Sequence, residues 1–220
     1  MARHSIATAF VALLALIAAT NLASAAPAGF QVEIQGTGSQ LGANTALTEN
    51  HSISDLFAPQ FGFSLGATYG FTEHLVVGVR GGAFAERKDL SDLARESGEL
   101  PPGFTVNQEM QVTPVHGLLQ YRAKLGKKFG VYDELGVGVS SFKLRSEVFR
   151  DGQSLVRTAD YQRNLSFLIG GGASWDYQTA FSVLASFDVL MVPSANGDVW
   201  STGDNPHFWM FSLGIRYPRR

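Results

Sequence analysis

Phe61-Gly-Phe-Ser-Leu-Gly-Ala-Thr-Tyr-Gly-Phe71 places an apolar side chain at every second position: Phe61, Phe63, Leu65, Ala67, Tyr69 and Phe71. Gly62, Ser64, Gly66, Thr68 and Gly70 fill the places between. A two-residue period predicts a β-strand with one apolar face, because successive side chains point to opposite sides of the backbone. The same alternation returns in three later runs. Leu165–Tyr177 sets Leu165, Phe167, Ile169, Ala173, Trp175 and Tyr177 against Ser166, Leu168, Gly170, Gly172, Ser174 and Asp176. Phe181–Met191 carries Phe181, Val183, Ala185, Phe187, Val189 and Met191 on one face. Trp209–Tyr217 sets Trp209, Phe211, Leu213, Ile215 and Tyr217 against Met210, Ser212, Gly214 and Arg216.

Four weaker runs complete the set: Phe30–Thr37, Leu75–Ala85, Thr105–Leu125 and Phe129–Phe142. The total expected is eight strands, with no helix of convincing length between them. The connections alternate in length. Residues 71–74, 126–128 and 177–180 are short; residues 38–58, 86–104, 150–160 and 193–206 are long. Short turns on one side and long loops on the other are the pattern of a membrane β-barrel.

Composition agrees with this class. The 220 residues contain 17 Lys+Arg against 19 Asp+Glu, only 16% charged, with 24 Gly and no Cys. Soluble domains carry ~25% charge and about 7% Gly. The absence of Cys excludes a disulfide framework, a Cys-ligated metal and thiol catalysis. A formal charge of −2 without a basic block gives no footprint for nucleic acid.

Met1–Ala25 reads as a secretory signal. Arg3 and His4 precede the largely apolar Ile6–Ala19, and Ala23-Ser24-Ala25 fits the small-x-small cleavage rule. The apolar run falls short of the ~20 residues that span a bilayer as a helix. One domain, residues 26–220, is expected to follow.

Alternation alone leaves open which face is outside. A soluble, lipocalin-like barrel would line a ligand cavity with its apolar face. Two features favour the reverse. The polar face is mostly Gly, Ser, Thr and Ala, which suits a narrow lumen better than a water-facing surface. Aromatic residues also gather at the strand ends. Tyr69, Phe71, Tyr121, Phe129, Trp175, Tyr177, Phe181 and Tyr217 fall toward the short turns. Phe61, Phe63, Phe142, Tyr161, Trp209 and Phe211 fall toward the long connections. Two girdles around an apolar band place aromatic rings at headgroup depth.

On these residues the chain resembles a known family. Leu65-Gly-Ala-Thr-Tyr-Gly-Phe-Thr-Glu-His-Leu-Val-Val-Gly-Val-Arg-Gly-Gly82 is similar to the second hairpin of small OmpA/OmpX-like outer-membrane β-barrels, often labelled "porin family". Phe208-Trp-Met-Phe-Ser-Leu-Gly-Ile-Arg-Tyr217 is similar to their C-terminal strand, although Pro218-Arg-Arg220 follows where the family usually ends on an aromatic residue. The resemblance implies an all-β, eight-stranded antiparallel up-and-down transmembrane barrel. It implies the outer membrane of a Gram-negative-type bacterium, with lipid and lipopolysaccharide as surroundings and the barrel assembly machinery as a partner during biogenesis.

The polar constellation expected inside is a set of lumen charges. By parity these are Glu33, Arg80, Arg122, Lys124, Glu134, Asp176, Asp188 and Arg216, with His116 and Gln120. Opposite charges should pair across the lumen, because a lone buried charge is costly to desolvate. The set reads as a structural plug, or alternatively as a gated ion path. If it is a plug, replacing Arg122 and Glu134 by Ala should raise conductance. Pro114 suggests a bulge in the fourth strand. Asp133 falls on the lipid face unless it lies at the interface or a bulge shifts the register.

No catalytic, cofactor or metal residues are expected. The lipid A deacylases of barrel type resemble a His-x-Ser arrangement, and none of His51, His74, His116 and His207 has Ser two positions on. His51-Ser52 with Asp55 reads as loop, since a triad needs rigid orientation. Gly170-Gly171-Gly172 lies in a strand with no helix after it, so it reads as small residues at a crowded lumen or a bend and not as a phosphate loop. Function is therefore expected to be non-catalytic, a structural or surface-interaction role through four loops whose ligand is unknown. A narrow channel, a lipid-modifying enzyme and a soluble ligand binder are the alternatives.

Overall fold

The computed structural model describes residues 29–42, 59–72, 74–96, 98, 100–177, 181–193 and 206–217. The signal segment, most of the first and last long connections, and His51, Ser52 and Asp55 lie outside these residues. Eight strands follow in order: β1 (Phe30–Leu41), β2 (Gln60–Gly70), β3 (Leu75–Asp89), β4 (Phe104–Lys124), β5 (Phe129–Arg150), β6 (Gln153–Asp176), β7 (Ser182–Met191) and β8 (His207–Tyr217). Each pairs antiparallel with its chain neighbours, and β1 pairs with β8 from Val32↔Tyr217 to Leu41↔Phe208, closing the sheet. Closure leaves the sheet with no free edge strand, which a sheet in hydrocarbon requires.

The alternation resolves in one sense only. The apolar side chains point outward: Ile34, Leu65, Leu119, Leu135, Val137, Ile169, Leu213 and Ile215 are exposed around the ring. Glu33, Gln35, Thr68, Arg80, Gln120, Glu134, Asp188 and Arg216 are buried within it. A continuous apolar outer belt is far larger than the few hundred Å² a soluble monomer exposes. The chain is a transmembrane barrel, and the lipocalin-like alternative is inverted. Val137 sits near mid-belt on β5. Val137→Arg should therefore lower stability in lipid by about 2–4 kcal/mol, read from the urea midpoint in vesicles. On a water-facing surface the same change would cost about 0.5 kcal/mol or less.

Aromatic side chains rim the belt. At the short-turn end Tyr69 lies edge-on to Phe71 with centroids 5.4 Å apart, and Trp175 lies edge-on to Tyr177 at 5.5 Å. Phe129 stacks on Trp175 at 6.3 Å, while Tyr121 and Tyr217 are exposed nearby. At the other end Phe61, Phe63, Tyr161, Trp209 and Phe211 are exposed, with Phe187 stacked on Trp209 at 5.6 Å. Phe142 is a correction. It is fully buried inside the barrel, stacked on Phe208 at 5.9 Å. Its even number on β5 puts it opposite in parity to the lipid-facing Val131, Leu135, Val137 and Val139, and parity wins over its place near a strand end.

The third long connection is also corrected. Residues 150–160 form no loop: β5 and β6 run on into a hairpin closed by Asp151 and Gly152, with φ of 50° and 78°. Two positive φ values are what a type I′ turn needs, and Asp-Gly is a preferred pair for it. Beyond the belt both faces meet water, so the apolar period fades while the strands continue. Arg157 Nε lies 3.0 Å from Glu147 Oε1, and Arg145 Nη1 lies 3.4 Å from Glu109 Oε2. The second long connection holds one short helix, α1 (Ser91–Glu96).

Neither strand anomaly shifts the register. The β4–β5 ladder continues through Pro114↔Ser140, while β3–β4 pairing lapses between Gly81↔Val115 and Phe84↔Val112 and resumes in the same register. Pro114 has no N–H to give, so the gap replaces the expected bulge. Asp133 stays on the outer face, level with Tyr121 and Gly171. Its level is that of the short-turn aromatic girdle, where a carboxylate still reaches water.

Candidate functional site

Two layers of side chains fill the lumen. The layer toward the short turns is ionic. Glu33 on β1 takes three arginines: Arg216 Nε at 2.7 Å, Arg80 Nη2 at 3.2 Å and Arg122 Nη2 at 3.2 Å. Arg80 reaches across to Glu134, with Nη2 donating to Oε2 at 3.0 Å and Nη1 to Oε1. Its Nη1 also lies 3.9 Å from Asp188 Oδ2. Gln120 Nε2 donates to Glu134 at 2.8 Å, and Gln120 Oε1 accepts from Arg122 Nε at 3.0 Å. Arg122 also donates to Gln31.

Glycines sit between the charges of this layer, and at Gly170 no larger residue fits. Glu33↔Gly66↔Arg80 and Glu134↔Gly170↔Asp188 each place a glycine between two charges on alternate strands. A Cβ on Gly170 would lie 2.0 Å from Asp188 Oδ1, and one on Gly66 3.7 Å from Glu33 Oε2. Gly170 and Gly172 thus face the crowded lumen, whereas Gly171 faces outward beneath Asp133.

Six of the eight expected charges join or flank this layer: Glu33, Arg80, Arg122, Glu134, Asp188 and Arg216. Two stand apart. Lys124 is exposed at the short-turn rim, and Asp176 lines the same mouth, accepting from Ser182 Oγ at 2.7 Å. Both come from strand ends, where parity holds but the lumen has opened to water. His116 lies one level further in, its Nε2 2.9 Å from Ser166 Oγ, which accepts from Ser140 at 2.8 Å.

The second layer was not foreseen. Toward the long connections, Leu41, Phe84, Met110, Val112, Phe142, Leu190, Val192, Phe208 and Met210 form an apolar cork with Leu118 and Leu168. The signal for it was parity: Phe84, Met110, Phe142, Leu168 and Phe208 all occupy the lumen-facing places of their strands. Reading that face as uniformly small and polar hid them. Between the layers lies a void of about 20 Å³ lined by Gln35, His116, Asp188, Phe84 and Met210, room for one water molecule. No cluster of three or more His, Asp or Glu suited to a metal ion occurs among the described residues.

No protein-family model and no curated protein sequence matches the chain. Solved structures do. The chain is 14% identical to neisserial surface protein A, with a TM-score of 0.53, covering 86% of this chain and 97% of that one. It is 14% identical to a major outer membrane protein from Thermus thermophilus, with a TM-score of 0.53 and coverage of 86% and 98%. The attachment invasion locus protein Ail of Yersinia pestis, solved with the heparin analogue sucrose octasulfate, is 16% identical at a TM-score of 0.49, with coverage of 86% and 97%. At such identities the likeness is one of fold. It is the fold of the small outer-membrane barrels that the hairpin 65–82 and the last strand resemble.

Proposed function

We propose that this chain is a sealed outer-membrane barrel of a Gram-negative-type bacterium that acts through its long-connection surface, as a structural or surface-interaction protein. In this reading the short turns face the periplasm and the long connections face outward. Lipopolysaccharide surrounds the outer half of the belt, and the barrel assembly machinery inserts the exported chain.

The observation that carries the reading is the double filling of the lumen. An eight-stranded barrel is just wide enough for side chains to fill. Here an ion-paired layer and an apolar cork lie in series. An apolar constriction this narrow excludes water, and with it ions. What remains available to a partner is the outer surface. There the part of β6 from Gln153 to Asp160, roughly 25 Å of strand at about 3.3 Å per residue, has no β7 partner among the described residues. Leu155 and Val156 are exposed on it.

The test is single-channel recording of the folded protein in a planar bilayer. The expected trace stays at the leak level. Stepwise openings would overturn the sealed reading and favour the channel. Release of acyl chains from lipid A would favour the enzyme instead.

A further inference from the structure

The short-turn mouth of the barrel opens a cavity of about 180 Å³ that borders the ionic layer. Its walls come from β4 (Arg122, Lys124), β5 (Tyr132), β6 (Asp176) and β8 (Arg216). We infer that this cavity binds a phosphoryl oxyanion.

Two residues of its wall each keep a buried polar atom without a partner. Arg216 is 4% exposed and Tyr132 2% exposed; neither Arg216 Nη2 nor Tyr132 Oη has a hydrogen-bond partner. Buried polar groups are nearly always paired, and a charged donor left unpaired is the costlier kind. The two are held as a unit. The Arg216 guanidinium lies 5.4 Å from the Tyr132 ring centroid, and its Nε is fixed on Glu33 at 2.7 Å. Gly172 makes room for the ring: a Cβ there would come within 2.8 Å of Tyr132 Oη.

The donor set selects the ligand. Glu33 already carries three arginines, and Asp176 accepts from Ser182, so the mouth offers a cation little. Lys124 stands exposed at the rim and makes no ion pair among the described residues. A planar carboxylate is best held by two nitrogens of one guanidinium. Arg216 has given Nε to Glu33, so its Nε/Nη2 edge is taken, and Nη1 and Nη2 make no hydrogen bond among the described residues. Donors spread over three strands, β4, β5 and β8, suit a tetrahedral group with several acceptor oxygens better than a planar one. The volume is more than ten times the ~10–15 Å³ that admits one water, enough for a phosphate or a small phosphomonoester. The phosphoryl group could come from solution or from a lipid headgroup in the adjacent leaflet.

The experiment titrates inorganic phosphate into the full-length protein in detergent at constant ionic strength, followed by calorimetry. Saturable one-to-one binding is expected. It should weaken at least tenfold in Tyr132→Phe combined with Lys124→Gln, and by a smaller factor in Lys124→Gln alone. Both variants spare the ionic layer and should keep the wild-type gel shift on boiling. Lysophosphatidic acid added to the micelles either displaces phosphate, which assigns the site to a lipid headgroup, or leaves it bound, which assigns it to a soluble phosphate. No saturation by about 10 mM phosphate, a free energy weaker than roughly −3 kcal/mol, would overturn the assignment. So would equal binding by wild type and the double variant.

Discussion

Arg80→Met should destabilise the barrel by about 3–5 kcal/mol, the usual cost of leaving buried charges without their counter-ion. Arg80 is the cation within 4 Å of both Glu134 and Asp188, and it shares Glu33 with Arg122 and Arg216. Its removal leaves Glu134 with Gln120 and Asp188 with Ser186 Oγ at 3.0 Å. Neither neutral partner offsets a buried carboxylate. The urea midpoint of the protein in vesicles should fall, and the folded band on an unboiled gel should weaken. Arg80→Met with Glu134→Gln should recover most of the loss, because a neutralised pair is often no worse than the ion pair it replaces. A double variant no more stable than the single one would mean that packing, and not charge, explains the effect.

Phe142→Ala with Phe208→Ala should remove the centre of the apolar cork. Each ring is buried and stacked on the other. A buried Phe→Ala change costs about 3–5 kcal/mol, and two residues in contact do not add. Conductance is the sharper reading. The two layers lie in series, so the tighter one sets the current. Arg122→Ala with Glu134→Ala opens only the ionic layer and should leave the trace at leak, contrary to what the sequence alone suggests. Joined to the two Phe replacements, it should give stepwise openings. Current through the Arg122/Glu134 variant alone would show that the cork does not seal the barrel.

The legibility of this fold was uneven along the chain, for a physical reason. In β2, β7 and β8 the apolar period is complete, since lipid on one side and a packed lumen on the other impose it at every step. The same pressure stops at the edge of the belt. The hairpin at Asp151-Gly152 continued the sheet into water, where Arg145, Glu147 and Arg157 follow no apolar period. Its turn was written in the Asp-Gly pair all the same. Phe142 shows the opposite failure: an aromatic near a strand end looks like a girdle residue until parity is applied strictly.

Parity was enough to send the lumen charges inward. It could not say which of them meet. Glu33 and Arg80 stand on β1 and β3 with Gly66 between, and Glu134 and Asp188 on β5 and β7 flank Gly170. Such neighbours are set by register and curvature together, which no single strand records. The sequence by itself determined the strand count and the parity of each lumen residue, because a two-residue period is a local property of the chain, while the strand-end aromatics and the small polar face pointed to the side given to lipid. Only the tertiary structure decided that three arginines share Glu33, that an apolar cluster around Phe142 and Phe208 corks the half toward the long connections, and that Arg216 and Tyr132 meet at the mouth. Those contacts arise when the sheet closes and distant strands face one another across one lumen.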